Sequence, residues 1–162
     1  VNRRTTPVNR RIALTAALTL TAGLALTACG GGTTANTGTT APRLKVSDPY
    51  MPQPVTQSMA GAYFVIKNSG GTADKLTSVT SDLSKDITIH KTVGNKMEQV
   101  DSLPVPANGE LTLGPGGNHL MFMGLTKKPA EGQTVTVELH FATAAPITVQ
   151  VPVKATSYTP KH

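Results

Sequence analysis

Thr134-Val135-Thr136-Val137-Glu138-Leu139-His140-Phe141 and, shortly after it, Ile147-Thr148-Val149-Gln150-Val151-Pro152-Val153 alternate apolar residues with polar residues or proline. Successive side chains of a strand point to opposite faces, so Val135, Val137, Leu139 and Phe141 share one face, as do Ile147, Val149, Val151 and Val153. Two inner faces of that kind bury each other in a sandwich. Upstream the pattern holds: short apolar runs lie between Gly, Pro, Asn and Asp at Leu44–Val46, Ala60–Lys67, Lys75–Thr80, Ile87–Val93, Lys96–Asp101, Glu110–Leu113 and His119–Leu125. Strands of that length with turn signals every ten residues or so predict an all-β, Greek-key β-sandwich over residues 43–155. No stretch offers an amphipathic helix of three turns, and no internal repeat is visible.

The first forty residues do not belong to that pattern. Arg3, Arg4, Arg10 and Arg11 precede the apolar and Thr-rich run from Ile12 to Leu26, the layout of a secretory signal over residues 1–28. The run ends in Leu26-Thr27-Ala28-Cys29, which resembles the bacterial lipobox and predicts lipidation at Cys29. Arg10-Arg11 leaves a twin-arginine export route open beside the general one. Residues 29–42, rich in Gly, Thr and Ala, then read as a lipidated cysteine and a flexible tether, and 156–162 as a tail. The expected location is the outer face of the bacterial cytoplasmic membrane.

Composition removes several function classes. The chain has one cysteine. Once lipidated it leaves no thiol for a disulfide, a redox couple or a nucleophile. The formal charge of +6 belongs largely to the signal, since eleven Lys or Arg and nine Asp or Glu remain after Cys29. Scattered lysines without a basic block or tryptophan give no phosphate-tracking groove, so no nucleic-acid partner is expected. Neither a Gly-x-Ser-x-Gly element nor a Ser-His-Asp spacing supports a hydrolase, and the chain is not expected to be an enzyme.

Alternation also decides where the candidate ligands point. In Ile87-Thr88-Ile89-His90 the two isoleucines take the buried face, and His90 goes with Thr88 to the wetter one. Gly94-Asn95 reads as a two-residue hairpin turn, which pairs Val93 with Lys96, Thr92 with Met97 and His90 with Gln99. Met97 is then a diagonal neighbour of His90 on one face, and Glu98 is turned to the other. In the strand that begins at His119, residues His119, Met121 and Met123 share a face opposite Leu120 and Phe122. If the two segments approach across the mouth of the sandwich, two imidazoles and two thioethers surround one point. Neutral, soft donors of that kind suit Cu(I) and leave a divalent ion poorly compensated. Met123 is the alternative donor on the same face. His140, beside Thr136 and Glu138, reads as surface, and Met51 and Met59 flank a Pro-rich loop that commits them to nothing.

The spacing Met97, twenty-one residues, His119, one residue, Met121, with His90 upstream, resembles the signature of the PCu(A)C family of bacterial copper chaperones. The likeness extends through Ala60–Gly70, Ala73–Leu76, Leu103–Glu110 and Pro115–Leu125, and covers about Leu44 to Val153. It departs in two places: Lys91 stands where the family often has Met, and six residues separate His90 from Met97 where about ten or more are usual. The resemblance implies a cupredoxin-like sandwich that holds one Cu(I) through His90, Met97, His119 and Met121. It also implies delivery to an acceptor such as the cytochrome c oxidase subunit with the binuclear copper site, or another copper chaperone. Binding of Cu(II) stays open. The rival reading is a metal-free surface lipoprotein whose sandwich binds a protein or glycan.

Overall fold

A computed structural model of the chain describes residues 40–160. The expected signal, Cys29 and most of the tether lie outside the described residues, as does His162. Every regular element among the described residues is a strand: β1 Leu44–Pro52, β2 Met59–Asn68, β3 Asp74–Ser81, β4 Asp86–Val93, β5 Lys96–Val100, β6 Leu103–Val105, β7 Gly109–Leu113, β8 His119–Met123, β9 Thr134–Phe141 and β10 Ile147–Lys154. They hydrogen-bond in the order β5-β4-β8-β2-β1-β10-β9-β3-β6, with β7 also on β2.

β1 joins the two layers of the sandwich. From Leu44 to Tyr50 it runs antiparallel to β2, and at Met51 and Pro52 it pairs in parallel with β10. The change follows a register shift between Ser47 and Tyr50 at Asp48, whose φ of 53° bends the strand. An inserted residue in one strand of a pair bends it and sharpens its twist. One apolar cluster lies between the layers. It takes Phe64 and Ile66 from β2, Leu120 and Phe122 from β8, Val137 and Leu139 from β9, and Val151 and Val153 from β10, all almost wholly buried.

Three sequence expectations change. β9 and β10 do not face each other across the sandwich: Val149 is opposite Val137 and Val151 opposite Val135 in one layer. Their apolar faces lie side by side and together meet the other layer. The second change is β6, which pairs with β3 and contains Pro104; an edge position tolerates a residue without an N–H. The third concerns residues 40–42, placed in the tether by their composition. They lie against the turn after β2, where Gly71 N–H donates to Thr40 Oγ1 at 2.7 Å. Gly70 permits that approach because a Cβ there would meet the Ala41 carbonyl.

Two buried polar residues tie the loops down. Asn68 Oδ1 accepts from Arg43 N–H and Gly70 N–H, and its amide donates to Thr72 O. Asp74 accepts from the backbone of Lys75, Thr143 and Ala144 at 2.8–3.0 Å. Both are structural, which accounts for the Asn68 and Asp74 segments without assigning them chemistry.

β7 and β8 share one edge of β2. β7 pairs with Phe64–Asn68 and β8 with Met59–Ala62, so the chain continues along the same edge through a turn at Gly114–Asn118. In that turn Gly114 N–H donates to Asn118 O and Gly117 N–H to Gly114 O. This returns the backbone to β2 in the register that starts β8 at His119.

Candidate metal site

β8 is flanked by β4 on one side and β2 on the other, and register sets its outer face in rows. His90 stands directly opposite His119, Thr88 opposite Met121, and Asp86 opposite Met123. On the other side Gly61 is opposite Met121 and Met59 opposite Met123. Ile89, Leu120, Phe122, Ala60 and Ala62 occupy the alternate positions and are buried in the core. The histidines and methionines therefore lie on the outer face of one layer. They do not lie in a mouth between layers, because β4 and β8 are hydrogen-bonded neighbours within a layer.

The His90 and His119 rings stack with centroids 5.3 Å apart and planes 16° from parallel. Each ring has one nitrogen engaged. His119 Nδ1 lies 2.9 Å from the Gly117 carbonyl, which can only accept, so Nδ1 carries the proton and Nε2 the lone pair. His90 Nε2 lies 2.9 Å from Thr88 Oγ1, and that hydroxyl donates to Met121 O at 3.5 Å. With Nε2 engaged by the hydroxyl, Nδ1 is the other ring nitrogen of His90. That Nδ1 is buried and has no hydrogen-bond partner. An unpartnered buried ring nitrogen is costly, and coordination of a cation relieves it.

Desolvation, and secondarily the neighbouring His119, lower the proton affinity of His90 below the ordinary imidazole range. The neutral, ligating form is favoured as a result. Met97 reaches the same region through the hairpin. Gly94 and Asn95 have φ of 53° and 68°, both positive as the tightest β-hairpin turn requires. The observed pairing is the one that spacing predicts: Val93 with Lys96, Thr92 with Met97 and His90 with Gln99. Glu98 faces the other way and pairs with Lys91 at 3.5 Å. Met97 is 64% exposed, so its thioether is free to move.

An open cavity of about 610 Å³ gathers His119, Met121, Met97 and Met59, closed on its sides by the loop from Pro52 to Val55, by Tyr63 and by the hairpin residues Thr92 and Asn95. His90 stacks on His119 and is not part of the lining. The lining of Met59 is a finding that spacing did not anticipate. Met51, its companion beside the Pro-rich loop, is fully buried in the core. The expected strand start at Ala60 hid Met59, which is the first residue of β2 and lies on the donor face. His140 is elsewhere, within 3.2 Å of Thr80 Oγ1 and 3.3 Å of Glu138.

The donor set is narrow. Among the described residues no three His, Cys, Asp or Glu converge on a point where they would hold a metal ion. Paired imidazoles beside thioethers suit a soft monovalent ion.

Residues 44–153 match the family described as "Putative lipoprotein LpqE-like". A protein named "Putative lipoprotein Lxx21020" from Leifsonia xyli subsp. xyli is 34% identical over 101 residues, 59% of this chain and 61% of its own length. The match thus spans about three fifths of that curated relative. Among solved structures, the apo PCuAC domain of PmoF2 superposes with a TM-score of 0.64 at 23% identity, over 71% of this chain and 92% of that domain. The copper(I) form of DR1885 from Deinococcus radiodurans, solved in solution, gives 0.56 at 26% identity, over 74% of this chain and 80% of its own.

Proposed function

The chain belongs to the LpqE-like family of PCu(A)C proteins, and from that premise we propose that it is an exported copper chaperone, a carrier without catalytic turnover. Its cargo is one Cu(I), held by His90, Met97, His119 and Met121. The observation that carries this reading is the His90–His119 pair: two imidazoles directly opposite on adjacent strands, each with one nitrogen free, and Met121 next along β8. The structural relative from Deinococcus radiodurans carries Cu(I), which supports the same cargo.

Transfer follows from the exposure of the donors. Met97 lies out in solvent while His119 is buried and His90 half-buried. An acceptor therefore displaces the thioether of Met97 first and the imidazoles last. No proton, electron or covalent bond needs to be exchanged with the protein beyond the ligands themselves. Delivery toward the binuclear copper centre of cytochrome c oxidase is the proposed destination. Lipidation at Cys29, after removal of residues 1–28, would hold the domain at the outer face of the membrane near such an acceptor.

Competition with a Cu(I)-specific chelator tests the proposal. Wild type is expected to retain one Cu(I) per chain, and a His119→Ala, Met121→Ala double variant to surrender it. Equal retention by the two proteins rejects the assignment.

A further inference from the structure

The chain has five methionines, and only Met51 is consumed by the core. Met121 is used above and Met97 sits across the cavity, which leaves Met59 and Met123. These two stand directly opposite each other on β2 and β8. Opposed residues have Cβ atoms about 4.5–5.5 Å apart, and diagonal neighbours lie at about 7–8 Å. Met121 is two residues along β8 from Met123, about 6.5–7 Å away on the same face, and is diagonal to Met59. The three thioethers thus form a triangle whose every edge is shorter than the combined reach of two unbranched, three-torsion side chains.

One further feature favours an ion there. Asp86 is directly opposite Met123 on β4, in the same row as Met59. It supplies one exposed negative charge near a site whose donors are all neutral. Met59 is 48% exposed, so its thioether is accessible to an ion from solvent.

We propose that Met59, Met121 and Met123 form a second soft-metal position, a three-thioether subsite for a monovalent ion, linked to the histidine-bearing position through the shared Met121. The proposal rests on the copper reading only for the identity of the natural cargo. An ion passes between the two positions by exchanging imidazole for thioether while Met121 stays bound, with no change of oxidation state. The subsite binds more weakly than the histidine position, because it has no imidazole and its rim is open.

The test uses the chain labelled with 13C in the methionine methyl groups and titrated with Ag(I) alone. In wild type, the first equivalent is expected to shift Met97 and Met121, and the second to shift Met59 and Met123 and to move Met121 again, since both positions draw on its sulfur. Met59→Leu, at an exposed position, is expected to keep the first event and lose the Met123 shift. His119→Ala is expected to lose the first event and keep the Met59 and Met123 shifts. Stationary Met59 and Met123 methyl signals through two equivalents overturn the subsite, as does a Met123 shift that survives Met59→Leu or a loss of both events in His119→Ala. A first event indifferent to His119→Ala instead overturns the four-ligand assignment, so the two failures are separable.

Discussion

The two faces of β8 are built from one pentapeptide and do opposite things. Leu120 and Phe122 are fully buried, while His119, Met121 and Met123 alternate with them on the outer face. β4 repeats the division with Ile89 inward and His90 outward. The difference teaches that stability and donor chemistry in this domain are separable, since strand geometry prevents one residue from serving both. The core face holds the register, and the register sets the spacing of the donors.

The sharpest way to break that comparison is to remove a core side chain. Phe122→Ala leaves a cavity beside Leu120, Ala60 and Ile87 and is expected to cost about 3–5 kcal/mol of unfolding free energy. Denaturant titration of the apo protein measures it. A loss below about 1 kcal/mol would mean that the inner face of β8 does not carry the fold.

The outer face should respond to pH where the core does not. Desolvation and His119 lower the proton affinity of His90. A depressed value means the folded protein favours neutral His90, so its contribution to stability is present above the unfolded midpoint of about 6.5 and is lost as pH falls through the folded midpoint. An NMR titration of the His90 ring is expected to give a midpoint below that of a free imidazole, and His119→Gln, which removes the second cause, to raise it. The His90 contribution to metal affinity should persist below pH 6.5 and then fall by up to about tenfold per pH unit as that ring takes a proton. A wild-type His90 midpoint at or above the ordinary value would remove the argument that burial keeps this ligand ready.

Much of this arrangement is legible before any coordinates. The face of every candidate ligand follows from alternation, and the hairpin pairing follows from Gly94-Asn95, whose positive φ angles are the physical content of that turn signal. What alternation cannot supply is the partner of a strand. It marks Val137 and Val149 as inward but does not say that they are neighbours in one layer. It places His90 on a wetter face and His119 on one face with Met121 and Met123, but not opposite each other, because register between strands distant in sequence is set by the packed core. Pro104 hides β6, and Asp48 and Pro49 hide the continuation of β1, since proline and a residue with positive φ ordinarily mark turns. The cavity role of Met59 went unseen because it depends on the same distant register with β8.

Turn chemistry offers a smaller effect. Gly94 has φ of 53° with open space around a would-be Cβ, so Gly94→Ala is resisted by backbone conformation alone. The cost is about 1–2 kcal/mol. Amide hydrogen exchange in β5 should quicken while the core of β8 stays protected. Metal affinity should weaken slightly, through Met97 only. Uniform destabilisation of all strands would show that the hairpin is not an independent unit.

The smallest effect is expected from the other side of the same hairpin. Lys91 and Glu98 are paired at 3.5 Å, and both side chains are substantially exposed. Solvent screens such a pair, and the entropy of fixing two long side chains offsets most of the attraction. Lys91→Ala should change stability by no more than about 0.5 kcal/mol. Because alternation turns Lys91 away from His90 and Met97, it should also leave Ag(I) affinity unchanged at physiological salt, where charges beyond about 8 Å are screened. A large loss of affinity on Lys91→Ala would mean that the hairpin curls enough to bring both faces to the donors, and the separation of faces on which the metal assignment depends would no longer hold for β4 and β5.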